Sequence, residues 1–125
     1  MKKLLILLFS LLISFNSYGE WIEVGKTYSG NSYYLDFDLI KSHQGYIYYW
    51  QLEDLIEPDS TNTLSTKSYF KGNCVLNSHM NLTTSFYKQP MGRGNSWHES
   101  ESQEWEYLHP ESIGMGVLNI ACNYL

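Results

Sequence analysis

The 125-residue sequence predicts an α+β fold: an antiparallel β-sheet of about six strands, with one C-terminal α-helix packed on one face and one disulfide joining the two. Three observations predict it. Short runs rich in Tyr, Ile, Thr and Phe, punctuated by Gly, Pro, Asn and Asp, extend from Trp21 to Tyr107. After His109-Pro110 the apolar spacing turns helical. One of the two cysteines, Cys122, falls in that helical stretch, and the other, Cys74, ends a strand-like run.

Residues 1–19 read as a secretory signal peptide. Lys2 and Lys3 precede an apolar run from Leu4 to Phe15, and the small residues Ser17 and Gly19 suit cleavage before Glu20. The run is shorter than the roughly 20 residues of a spanning helix, and no later stretch approaches that length, so no stable membrane insertion is expected. No cysteine follows the cut, so no lipid anchor is expected either. The product is an exported one, periplasmic or secreted.

Residues 20–125 then form a single domain, large enough to bury roughly 60 to 70% of its unfolded surface. An even cysteine count in an exported chain favours a Cys74–Cys122 disulfide over two free thiols. Closing that loop contributes about 4 kcal/mol on a chain-entropy estimate.

The charges are segregated. Without Lys2 and Lys3 the chain keeps 6 bases against 13 acids, a net −7. Between Thr61 and His98 there is no acid, while Lys67, Lys71, Lys88 and Arg93 supply four bases. The overall acidity argues against a nucleic-acid partner. The acid-free stretch marks either a solvated strand face or a binding surface.

In chain order, Trp21–Val24 reads as a first strand ended by Gly25, and Ser32–Phe37 as a second. Asp38 is placed to cap a helical turn over Leu39–Ser42, and Gly45 resets the chain. Tyr46–Leu52 is apolar on both parities, which predicts a central strand covered on both faces. Glu53–Asn62 is an acidic surface loop with Pro58. In Leu64–Cys74 the parity of Cys74 puts Phe70 toward the helix and Lys67, Tyr69 and Lys71 away from it, unless a bulge at Gly72-Asn73 exchanges the faces.

Met80, Leu82, Thr84 and Phe86 alternate in the next strand, which Pro90 and a Met91–Gly94 hairpin turn end. Asn95–Glu101 resumes as an edge strand around Trp97, and Trp105–Tyr107 leads to Pro110 and Ser112, the start of the helix. On a helical wheel Met115, Leu118, Cys122 and Leu125 face the sheet. Ile113, Val117, Ile120 and Tyr124 form a second apolar side that needs either the N-terminal strand or a second copy of the chain, a homodimer through the helix.

No residues are spaced as a catalytic constellation. His43, His79, His98 and His109 have no ligand spacing and read as exposed or capping residues, so no metal and no cofactor are expected. Asp36 and Asp38 are a turn former and a cap rather than an acid–base pair. Pro110–Gly114 has the outline of a nucleophile elbow but a proline in place of the first glycine and no following histidine, which leaves Ser112 as a cap. Gly92-Arg-Gly94 opens no helix and so cradles no phosphate.

The order of Trp21, Tyr33–Asp36, Tyr49-Trp50, Gly72–Cys74, Phe86–Gly94, Trp105, Pro110–Ser112 and Cys122 resembles the surface-adhesin protein E family. The Tyr-x-x-Pro-Met-Gly-x-Gly turn followed by Trp, Pro-x-Ser and a terminal Cys is the most specific part. The resemblance implies an antiparallel sheet with a disulfide-linked C-terminal helix and no enzymatic activity. It also implies adhesion, since the adhesin that names the family is a lipid-anchored outer-membrane protein that binds host matrix and plasma proteins. The expected function is an exported binding module with a protein partner, using a strip formed by Lys67, Tyr69, Lys71, Lys88 and Arg93. The alternative is a periplasmic inhibitor or immunity protein directed at a secreted hydrolase.

Overall fold

The computed structural model describes residues 20–125, so the expected signal peptide, 1–19, lies outside the described residues. One sheet holds β1 (Trp21–Lys26), β2 (Ser32–Asp36), β3 (Lys41–His43), β4 (Tyr46–Asp54), β5 (Ser65–Asn73), β6 (Ser78–Tyr87), β7 (His98–Ser100) and β8 (Trp105–Tyr107), and α1 (Ile113–Tyr124) follows. All pairings are antiparallel in the order β1-β2-β4-β5-β6-β7. The strands number eight rather than six because β3 and β8 are three-residue strands that fill the free half of a long neighbour. β3 pairs Tyr46–Tyr48 of β4 while β2 pairs its Gln51–Asp54, and β8 pairs Ser78–Met80 of β6 while β7 pairs its Thr84–Phe86.

Between β2 and β4 the expected helical turn is corrected. A 3-10 turn spans Phe37–Leu39, and its cap is Asp36, which accepts from the Asp38 N–H at 3.1 Å. Lys41–His43 is strand, because Gln44 and Gly45 both take positive φ (50° and 85°) and form the two-residue turn that matches strand twist.

Strand β4 is interior, as expected, but its faces differ. Ile47 and Tyr49 are buried toward the helix, whereas Tyr46, Tyr48 and Trp50 are half-buried on a face with no second layer. Gly72-Asn73, where a bulge would have exchanged the faces of this strand, is paired regularly, and the irregularity lies in the partner strand. Tyr69 pairs Thr83 but Phe70 pairs Asn81, which leaves Leu82 unpaired in β6. The extra residue splits the expected alternation of β6, so that Met80 stands beside Lys71 on the outer face while Thr84 and Phe86 keep to the inner one.

Met115, Val117, Leu118 and Ala121 of α1 are buried against Leu35, Ile40, Ile47, Tyr49 and Phe70. Gly72 makes the close approach possible, since a Cβ there would meet Leu118 Cδ1 at 2.6 Å and Ile47 Cγ2 at 2.8 Å. Ser112 caps the helix by accepting from the Met115 N–H at 3.1 Å, and the Cys74–Cys122 disulfide, with Cα atoms 6.0 Å apart, ties it to the end of β5. The second apolar side of the helix is met largely within the chain. Val117 is 2% exposed, Ile113 lies over Gly25 of β1, and the Tyr124 ring meets that of Phe37 edge-on at 4.9 Å. No described helix is long and apolar enough to cross a membrane.

Candidate functional site

The helix covers one face of the sheet, and the site is on the other. Side chains alternate between faces along each strand, so the register assigns Trp21, Tyr46, Tyr48, Trp50, Lys67, Tyr69, Lys71 and Met80 to this outer face. Across the strands Trp21 stands opposite Asp36, and Trp50 opposite Tyr69. Extending the Leu35–Gln51 register by one residue brings Asp36 beside Trp50. The rings form a platform: Trp50 stacks on Tyr69 at 4.7 Å, Tyr48 lies 6.0 Å from Tyr69, and Tyr46 lies 5.6 Å from Trp105.

Lys67, Tyr69 and Lys71 of the expected strip lie on this face. Lys71 Nζ is 4.2 Å from the Tyr46 ring centre and 5.9 Å from that of Trp105, and Lys67 Nζ is 5.1 Å from that of Tyr87. Burial lowers the Lys67 pKa, and burial together with Tyr48 raises that of Tyr69. Arg93 is exposed at the edge of a groove that Lys67 also lines. Lys88 is not in the strip: it donates to the Thr61 carbonyl at 2.6 Å and sits 4.4 Å over the Trp97 ring. Trp97 in turn donates its Nε1–H to Thr63 Oγ1 at 2.9 Å. Among the described residues the ion pairs are Lys26–Glu23 and His79–Glu106, and none involves Lys67, Lys71, Lys88 or Arg93.

The Met91–Gly94 segment is more than a turn. Gln89–Arg93 folds back over the end of the sheet as a flap, where the Met91 N–H donates to Asp54 Oδ1 at 2.7 Å and the Gly92 N–H to Ser65 Oγ at 2.8 Å. The Ser65 hydroxyl donates to the Gln89 carbonyl at 2.6 Å. Gly92 has φ 63°, and a Cβ on it would displace the Lys67 side chain and crowd Leu52 Cδ1 at 3.2 Å, so this position favours glycine. The flap buries Leu52 completely, the one outer-face residue of β4 so enclosed. Between the flap and β1, β2 and β4 lies a groove of about 900 Å³, lined among others by Trp21, Asp36, Trp50, Lys67, Met91 and Arg93.

Sequence reasoning missed Trp21, Trp50, Tyr46, Tyr48 and Trp105 as members of this face. The even parity of Tyr46, Tyr48 and Trp50 was a signal for it, masked by the apolar character of the whole run.

The histidine expectation also needs correction at one position. His79 is 8% exposed, stacked on Phe70 at 4.3 Å, with Nδ1 3.3 Å from the Tyr49 hydroxyl and Nε2 3.5 Å from Glu106 Oε2. Burial lowers its pKa while Glu106 opposes the shift. The Ser112 hydroxyl donates to the His109 carbonyl and accepts from Met115, so it is occupied as a cap. Among the described residues no three His, Cys, Asp or Glu are grouped to hold a metal ion.

Residues 21–123 match the family described as surface-adhesin protein E. Crystal form II of Haemophilus influenzae protein E is 20% identical, with a TM-score of 0.59 over 83% of this chain and 88% of that one. The selenomethionine form of Haemophilus influenzae protein E is 18% identical, with a TM-score of 0.61 over 83% and 87%. The protein E structure from non-typeable Haemophilus influenzae is 19% identical, with a TM-score of 0.53 over 83% and 76%. These likenesses are of fold. A search of curated proteins returns no match.

Proposed function

The chain belongs to the surface-adhesin protein E family, and on that premise we propose that it is an exported, non-enzymatic binding module that captures a protein partner on the outer face of its sheet. The observation that carries this reading is the composition of that face. It holds an aromatic platform with no second layer, and on it Lys67, Lys71 and Arg93 lack ion-pair partners among the described residues, in a chain whose other segments are acidic. Tyr, Trp and Arg are the residues that dominate protein interfaces, and lysines at the rim steer an acidic partner to them. An acidic patch on the partner would be steered to the strip and held there, and family membership favours a partner outside the producing cell. The Lys67 and Lys71 ammonium groups sit over the Tyr87 and Tyr46 rings, which holds both charges at this face.

The test is capture of partners from host serum and from the producing cell's envelope, followed by titration in increasing salt. Binding should weaken with salt, because charges at this face are screened over about 8 Å at physiological ionic strength. It should fall about tenfold or more in the Lys67→Glu, Lys71→Glu double variant, with the thermal midpoint of folding retained. A partner whose affinity ignores both would place the contact elsewhere. Protease treatment of intact cells separates surface display from periplasmic retention, and an envelope hydrolase as the captured partner would replace adhesion by inhibition.

A further inference from the structure

The groove beside the strip carries an unusual carboxylate. Asp36 is 2% exposed and lies in the groove wall between Trp21 and Trp50. Its Oδ1 accepts from the Asp38 N–H; its other oxygen has no hydrogen-bond partner among the described residues and is not sealed off, since the one enclosed side-chain polar atom left without a partner there is Asn81 Oδ1. A carboxylate oxygen that opens on the groove is free to take a cationic partner there. The two cations that share the lining, Lys67 and Arg93, form no ion pair with it. Indole faces attract cations, and a quaternary ammonium suits such a cage because it needs no hydrogen bonds. Trp50 stacks on Tyr69 through one face and lines the groove as well.

A simple cation would be repelled by Lys67 and Arg93, and a simple anion by Asp36. We propose that the groove binds a zwitterionic headgroup of the phosphocholine type, with its cationic nitrogen held by Trp21, Asp36 and Trp50 and its phosphate by Lys67 and Arg93. Arg93 on the exposed rim can meet the phosphate with two N–H donors. The low polarity around Lys67 strengthens its attraction for the anion.

The inference uses the face assigned to partner binding, but Lys71 lies outside the groove and separates the two. Lys71→Glu should weaken protein capture and leave headgroup binding unchanged.

The experiment is an NMR titration of the folded chain with phosphocholine, choline and inorganic phosphate, read at the four tryptophan indole N–H signals. Phosphocholine should shift the Trp21 and Trp50 signals saturably and leave Trp97 and Trp105 unmoved. Asp36→Asn keeps the capping oxygen and removes the charge, and Arg93→Met removes the phosphate donor, so each should weaken binding about tenfold. Co-sedimentation with phosphatidylcholine vesicles would identify a membrane headgroup as the source, and binding of the soluble headgroup without co-sedimentation would identify a free or glycan-borne one. The proposal is overturned if phosphocholine moves neither signal, if choline or phosphate alone binds as tightly, or if both variants bind like the parent.

Discussion

Gly72 and His79 show how single residues in this sheet answer to the helix above them. A methyl group on Gly72 would overlap Leu118 and Ile47, so Gly72→Ala should destabilise the fold by about 1 to 3 kcal/mol in urea unfolding. At His79 the folded-state pKa is lowered, chiefly by burial, so the unfolded chain takes up the proton more readily. Stability is therefore full above the ordinary histidine value of about 6.5 and falls as pH drops below it. Urea midpoints between pH 7.5 and 5.5 should decrease, and Glu106→Gln should steepen the decrease by removing the carboxylate that favours the imidazolium. A pH-independent midpoint in the parent would contradict the buried placement of His79.

The helix is the element on which the core depends. Its cap, its disulfide and its contact with β1 act at three places, and each can be removed singly. Ser112→Ala should cost about 1 kcal/mol, the usual loss of an N-cap. Replacing Cys74 and Cys122 with serine should cost about 2 to 4 kcal/mol in urea unfolding. The same contacts bear on self-association: with Val117 buried and Ile113 over Gly25, Tyr124 and Leu125 are the exposed apolar remainder of this end. A stable dimer needs about 800 Å² per partner, so we expect the chain not to pair through this end of the helix. Tyr124→Ser should leave the sedimentation coefficient unchanged at micromolar concentration, and a decrease would restore the helix as an interface.

At the scale of the whole molecule, a single sheet with a helix on one side leaves the opposite face without a second layer, and charge segregation tells which part of it to test. The acid-free span from Thr61 to His98 is built into β5, β6 and the flap, so bases that are scattered in sequence reach the outer face from two elements. Lys88, one residue past β6, is drawn away by the Thr61 carbonyl and the Trp97 ring. Lys88→Ala should accordingly leave partner binding within about twofold of the parent while Lys71→Glu lowers it, measured side by side in the same salt. The salt dependence should fall with the strip residues and persist with Lys88→Ala.

The α+β class, the existence of the long strands, the interior place of the Tyr46–Leu52 strand, the C-terminal helix with its Ser112 cap and the Cys74–Cys122 bridge were determined by the sequence itself. Periodicity, capping chemistry and cysteine count are local signals, and the core agreed with them. The parity of Cys74 likewise placed Lys67, Tyr69 and Lys71 on the face away from the helix. Tertiary structure alone decided the rest. Short strands such as β3 and β8 carry too few residues to show a period, and exist because a long neighbour has unpaired backbone groups to satisfy. The bulge at Leu82 arises from fitting two strands together, so no pattern within β6 announces it. The groove brings Trp21, Asp36, Trp50, Lys67 and Arg93 together from four strands and a flap, and such a meeting depends on long-range register, which single-chain periodicity does not encode.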